Sequence, residues 1–116
     1  MIMRIARGKL HPGSWRAFEQ AYTATVVAKG AEVDGIRGRW LVQDDDDPET
    51  CYAVSLWDSG EAMWGYEQSA FYIQEVLPAL TPYVVGEFTT TCGEMRVIQA
   101  WEDELGPYAL PSGGEL

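Results

Sequence analysis

Apolar and polar positions along the chain switch between two periods, and the switches divide it into elements. Met1 to Leu10 reads as a strand, broken by His11, Pro12 and Gly13. Ser14 is then placed to cap a helix running to about Lys29. Trp15, Phe18, Tyr22 and Val26 recur at spacings of three and four along it and form one apolar stripe. Gly30 ends that helix, with Lys29 at the negative end of its dipole. A second strand is predicted from about Val33 to Val42 and a third from Cys51 to Trp57. They are joined by Gln43, the aspartates Asp44, Asp45, Asp46 and Asp47, then Pro48 and Glu49, a hairpin signature. Asp58 or Ser59 caps a second helix, Asp58 and Glu61 having the spacing of a capping box. That helix runs to about Ser69. A shorter one from Ala70 to Leu77 stops at Pro78, and a last strand spans Tyr83 to Ile98, with Gly86 and Gly93 marking a bend or bulge.

Strand, helix, strand, strand, helix, strand is the ferredoxin-like order of an α+β domain, with both helices on one face of a four-stranded antiparallel sheet. Such a sheet turns a polar face to water on its other side. Here the third strand alternates Tyr52, Val54 and Leu56 with Cys51, Ala53, Ser55 and Trp57, and neither set carries a charge. The last strand sets Val84, Phe88 and Cys92 against Val85, Thr89 and Thr91, again with little charge. A sheet needing cover on both faces, in a chain with helices for one, is expected to find it in a second copy through a two-fold interface. We therefore read residues 1–98 as the domain and 99–116, aromatic, acidic and Pro/Gly-rich around Trp101, as an arm reaching across a homodimer.

Composition narrows the partners. The 116 residues suit a single domain, and 47% hydrophobic with 22% charged is ordinary globular usage. Eighteen acidic residues against eight basic give a net charge of −10, and the basic residues are scattered, so nucleic acid and anionic membranes are not expected partners. No apolar run reaches the ~20 residues that span a bilayer, and Arg4, Arg7 and Lys9 interrupt the first ten, unlike a signal peptide. A cytoplasmic location is expected. Cys51 and Cys92 read as free thiols, since the third and fourth strands are not neighbours in a ferredoxin-like sheet. His11, the only histidine, leaves a zinc site with both cysteines one ligand short, and the aspartate run lacks the alternation of a calcium loop. The aspartates are expected to repel one another on a solvated hairpin tip.

Three stretches carry a resemblance over roughly Ile2 to Val97. They are Gly35-Ile36-Arg37-Gly38-Arg39-Trp40-Leu41-Val42 before the acidic turn, Trp57-Asp58-Ser59-Gly60-Glu61-Ala62 between strand and helix, and Tyr66-Glu67-Gln68-Ser69 on that helix. In these the chain resembles the antibiotic-biosynthesis-monooxygenase family of dimeric α+β barrels. The family includes cofactor-free oxygenases of aromatic substrates, haem-degrading enzymes and quinol oxygenases. Haem-degrading members use a helix histidine as iron ligand. This chain has Tyr66 at the matching position and His11 in a loop, which counts against haem.

The cofactor-free branch needs an apolar aromatic pocket, a proton donor or acceptor, and donors for a developing anion. The resemblance implies a pocket between helices and sheet lined by Trp40, Tyr52, Tyr66, Tyr72 and Phe88. Tyr66 and Tyr72 would handle protons, Trp64 would donate its indole N–H, and Arg37 or Arg39 would sit near an oxyanion. No cofactor is implied, and the expected ligand is a small phenolic, anthrone-like or quinol-like aromatic. The asparagine of such members has no counterpart, because the chain contains no asparagine. The alternative is a non-catalytic dimer that binds a small ligand or serves in a stress response. Aromatic packing is the plainer role for each ring, and Arg37 and Arg39 equally suit charge balance against Glu87 or the acidic turn. Trp64 and Tyr66 lie about 200° apart on their helix, so only one of them can face the sheet squarely.

Overall fold

A computed structural model describes residues 1–99; the arm expected from Gln99 onward lies, beyond Gln99 itself, outside the described residues. Four strands, β1 (Ile2–Leu10), β2 (Ile36–Gln43), β3 (Thr50–Trp57) and β4 (Val84–Glu94), form one sheet in the order β2-β3-β1-β4. Every neighbouring pair is antiparallel. The first crossover carries α1 (Trp15–Tyr22), which continues into a π-helical turn over Thr23–Val27. The second carries α2 (Gly60–Glu67), a π-helical turn over Tyr72–Val76, and α3 (Leu77–Leu80). This is the ferredoxin-like α+β fold that the sequence predicts. No helix among the described residues is long and apolar enough to cross a membrane.

The helix-facing side of the sheet is set by register. Directly paired residues share a face, so Arg39, Ser55, Arg4 and Cys92 form one row across the sheet, and Leu41, Ala53, Ala6 and Thr90 the next. Phe18, Tyr22 and Val26 project from the first crossover onto this face and are buried, as their spacing predicts. Leu10, Cys51, Val76, Leu80 and Val84 complete that cluster, and Trp57, Met63 and Tyr66 form a second. Opposite Gly8, residues 86–88 of β4 make a bulge, with Gly86 at φ 74° supplying the backbone conformation other residues avoid. The bulge turns Phe88 over Gly8, where a Cβ would lie 2.7 Å from the ring.

The opposite face carries Ile5, Trp40, Val42, Tyr52, Val54, Leu56 and Val85, and no element among the described residues covers it. Trp40 is 37%, Val42 44% and Val85 49% exposed, and Trp40 lies flat against Gly38.

Local details depart from expectation where side chains found other partners. Ser14 precedes α1, but its hydroxyl makes no capping bond. At α2 the cap is Ser59, whose Oγ accepts from the Ala62 amide at 3.1 Å, while Asp58 pairs with Arg37 instead. The helix does not stop at Pro78: α3 runs through it, because Pro78 falls in the first turn of a fresh segment, where a missing N–H costs little. β2 starts at Ile36 rather than Val33, and β4 ends at Glu94 rather than Ile98. The hairpin tip is ordered rather than merely repelled. Asp44 Oδ1 accepts the amides of Asp46 and Asp47, Asp44 Oδ2 takes the Tyr52 hydroxyl at 2.5 Å, and Asp47 Oδ2 takes Lys9 at 2.6 Å. Both carboxyls are held below their ordinary range, Asp44 chiefly by Tyr52 and Asp47 chiefly by Lys9. Cys51, buried, and Cys92, exposed, are free thiols, with β1 lying between their strands.

Candidate functional site

Small side chains on the helix-facing side make room for a site. Above Ala6 and Ala53 the layers do not meet, and a cleft opens whose empty space is about 500 Å³ with its solvent-open mouth included. The part that admits the centre of a water-sized sphere is about 50 Å³, a few waters' worth of room. Val26, Val76, Leu77, Leu80 and Phe88 supply apolar walls, and Tyr22, Tyr66, Tyr72 and Trp57 aromatic ones. Both crossovers widen into their π turns beside it, and Val26, Tyr72 and Val76 come from those turns. Such insertions recur at functional sites because they re-aim side chains that a regular helix would hold in line.

The polar row Arg39–Ser55–Arg4 crosses the sheet at this cleft. Arg4 is 6% exposed, a burial no guanidinium tolerates unpaired. Its Nε donates to Glu67 Oε2 at 2.8 Å and its Nη2 to the Tyr72 hydroxyl at 3.0 Å. Its guanidinium also lies 5.5 Å from the Tyr72 ring centre. Burial alone would lower the Arg4 pKa, but the bonds to Glu67 and Tyr72 outweigh it and the group is held above its ordinary value. Because Tyr72 Oη accepts from Arg4, its own proton is left to donate elsewhere.

Tyr66 stands between Trp57 and Tyr72, with ring centres 5.1 and 4.9 Å away. Ser69 fixes the spacing of the two tyrosines: its hydroxyl donates to the Tyr66 carbonyl at 2.6 Å and accepts the Tyr72 amide at 3.2 Å. Trp57 is fully buried, and its indole N–H donates to Ser55 Oγ at 2.8 Å, so the ring is locked. Burial drives the Tyr22 phenol up to about 12 and raises Tyr66 as well, against the opposing pull of Arg39 on both. At neutral pH these phenols are donors rather than bases.

Of the residues the sequence brought forward, Tyr66, Tyr72, Phe88 and Arg39 meet at this cleft. The others stand elsewhere. Trp64 is 62% exposed on the outer side of α2, settling which of the two rings faces the sheet. Trp40 and Tyr52 belong to the opposite sheet face, Tyr52 being held by the hairpin. Arg37 falls in the register shift between Ile36 and Gly38 and pairs with Asp58 in solvent. The residues missed are Arg4, Ser55, Tyr22 and Trp57. Their signal was parity: Arg4 with Ala6 and Leu10, and Ser55 with Ala53 and Trp57, alternate onto one face.

An antiparallel ferredoxin-like sheet with an aromatic, arginine-bearing cleft beneath its helices defines the chain as a small ferredoxin-like α+β protein. Residues 1–74 match the family model for antibiotic biosynthesis monooxygenase, and the chain belongs to that family. Among solved structures it is similar to a Bordetella bronchiseptica protein described as a candidate antibiotic biosynthesis monooxygenase, at 20% identity and a TM-score of 0.73 over 83% of this chain and 97% of that one. A conserved protein from Methanosarcina mazei Go1 gives a TM-score of 0.72 at 14% identity, covering 82% and 92% of the two chains. Rv0793 from Mycobacterium tuberculosis gives 0.69 at 16%, covering 85% and 98%. At these identities the likeness is one of fold. No curated protein matches the sequence.

The buried phenols make stability sensitive to alkali. Unfolded Tyr22 ionises near its ordinary 10.0 and folded Tyr22 near about 12. Between those values the unfolded chain holds fewer protons, so Tyr22's contribution is complete below the lower value and is lost as pH rises through the upper. Urea unfolding across this window should lose ~2–3 kcal/mol from this group alone, and Tyr22→Phe should flatten the slope by that amount. An unchanged slope in the variant would contradict the burial of Tyr22.

Proposed function

We propose that this chain is a cofactor-independent monooxygenase that oxidises a phenolic, anthrone-like or quinol-like aromatic with O2, and that it works as a homodimer. The observation that carries the reading is the cleft itself: an apolar, aromatic chamber bordered by the arginine row of the sheet and by the phenols of Tyr22, Tyr66 and Tyr72 from the helical layer. Membership of the monooxygenase family supports the reaction class. In this chemistry the substrate anion supplies the electrons. Oxidation of a ring methylene to a carbonyl delivers four electrons to O2, with one oxygen entering the product and the other leaving as water. The protein's part is to exclude bulk water, orient the ring and stabilise the oxyanion. Tyr72, with its hydroxyl oxygen occupied by Arg4, is pre-oriented to donate to that oxyanion.

The pairing is supported by the exposed Trp40, Val42 and Val85 on the sheet face that nothing among the described residues covers, a face that also carries Arg7 and Lys9 at one end. A second reading, a non-catalytic dimer that binds a small ligand, is favoured by the narrowness of the cleft, whose inner space of about 50 Å³ a ligand must widen to enter.

Oxygen consumption by the purified protein with a panel of anthrones, quinols and phenols tests the enzyme. We expect turnover with at least one class, and Tyr72→Phe to lower kcat on the order of a hundredfold with little change in KM. No consumption across the panel would favour the second reading. Light scattering after size exclusion should give the mass of two chains, and Trp40→Lys the mass of one; a monomeric parent protein at micromolar concentration would rule out the pairing.

A further inference from the structure

The cleft contains hydrogen-bond donors and positive charge but nothing that accepts a proton. No carboxylate, imidazole, amine or thiol is among its lining residues; its titratable groups are Arg4, Arg39 and the phenols of Tyr22, Tyr66 and Tyr72. Two of the eight basic residues of an acidic chain thus converge on one small chamber. They are not equivalent. Arg4 has its carboxylate, Glu67. Arg39 makes no ion pair among the described residues, and its Nη2 is sealed from solvent with no acceptor.

Nothing about sequence position forced this. Arg37, two residues earlier on the same strand, has the partner Asp58. The Arg39 Nη2 packs beside Gly30, where a Cβ would meet the Val26 carbonyl oxygen first and then that same Nη2 at 2.9 Å. One N–H group of Arg39 is thus buried without an acceptor, while the residue as a whole is half-buried at the cleft.

We propose that the cleft selects a ligand that is already an anion when it enters, an aromatic phenolate, enolate or carboxylate, and that Arg39 is the specificity-determining residue that answers its charge. The anionic group would sit against the Arg39–Ser55–Arg4 row, with the phenols donating to it and its ring between the apolar walls. Deprotonation is then not a task for the protein. The substrate ionises in solvent or in the field of Arg39, and neutral isosteres are refused. This deepens the monooxygenase reading by naming the form of its substrate, and it rests on that reading only for the location of the site, since binding is tested without turnover.

Calorimetric titration of the full chain with benzoate and with benzamide, which share shape but not charge, tests it without a variant. Benzoate should bind at least roughly tenfold tighter, the ratio expected for one charge-assisted hydrogen bond. With 4-nitrophenol, whose ionised form is read by its colour, the bound dye should ionise about one pH unit lower than the free dye, a tenfold preference for the phenolate. Arg39→Gln should remove both preferences, and Arg39→Lys, which keeps the charge, should retain most of them. Equal affinity for benzamide, no binding of either probe, a bound dye that favours the neutral phenol, or an unchanged preference in Arg39→Gln would each overturn the proposal. A protein that prefers benzoate and consumes no oxygen with any substrate keeps this inference and loses the monooxygenase.

Discussion

A guanidinium on the helix-facing side of the central strand β1 is the constraint around which the domain is organised. At that depth Arg4 must be answered, and Glu67, the last residue of α2, answers it. The pair ties β1 to the end of α2, and the spare N–H groups of Arg4 then fix the hydroxyl of Tyr72 on the next turn. One ion pair with its phenol therefore sets where the second crossover lies over the sheet and which way Tyr72 points. Removing Glu67 alone would leave the buried cation uncompensated, which costs more than the pair itself contributes.

The cleft follows from residue size. Large side chains at both ends of the helix-facing surface, Leu10 and Phe18 at one and Trp57 and Tyr66 at the other, hold the layers apart. Ala6 and Ala53 between them are too small to fill the gap. The wider π turns at Thr23–Val27 and Tyr72–Val76 add local irregularity at the same level. Chemistry concentrates where packing was relaxed: the polar row, Arg39, which has no ion pair among the described residues, and the raised phenols of Tyr22 and Tyr66 all border that space.

Periodicity made the architecture legible. Phe18, Tyr22 and Val26 mark a helix face whatever else the chain does, and the Asp-rich turn before Pro48 marks a hairpin. Of the two caps the sequence offered for the second helix, Ser59 takes the role while Asp58 pairs with Arg37; the boundary at Pro78 failed, because Pro78 began a new helical segment instead of ending one. Of the residues that line the candidate site, Tyr66, Tyr72, Phe88 and Arg39 were visible in the sequence. Others were hidden: an arginine between two apolar residues reads as solvent-facing, whereas Arg4 points inward and Ile5 outward. Only pairing partners fix that parity. Trp40 and Trp64, conspicuous as large aromatics, turned out to occupy the open sheet face and the outer side of α2.

The central claim is that ligand binds between the helices and the sheet, at the arginine row. The chain's five tryptophans place indole N–H reporters on different surfaces: Trp57 in the cleft wall, Trp40 on the open sheet face, Trp64 on the outside of α2. Their nitrogen–proton correlations in solution, followed as benzoate is added, test the location directly. The Trp57 signal should move to saturation while those of Trp40 and Trp64 stay in place. Movement of Trp40 or Trp64 with Trp57 unchanged would put the ligand on another surface and contradict the account.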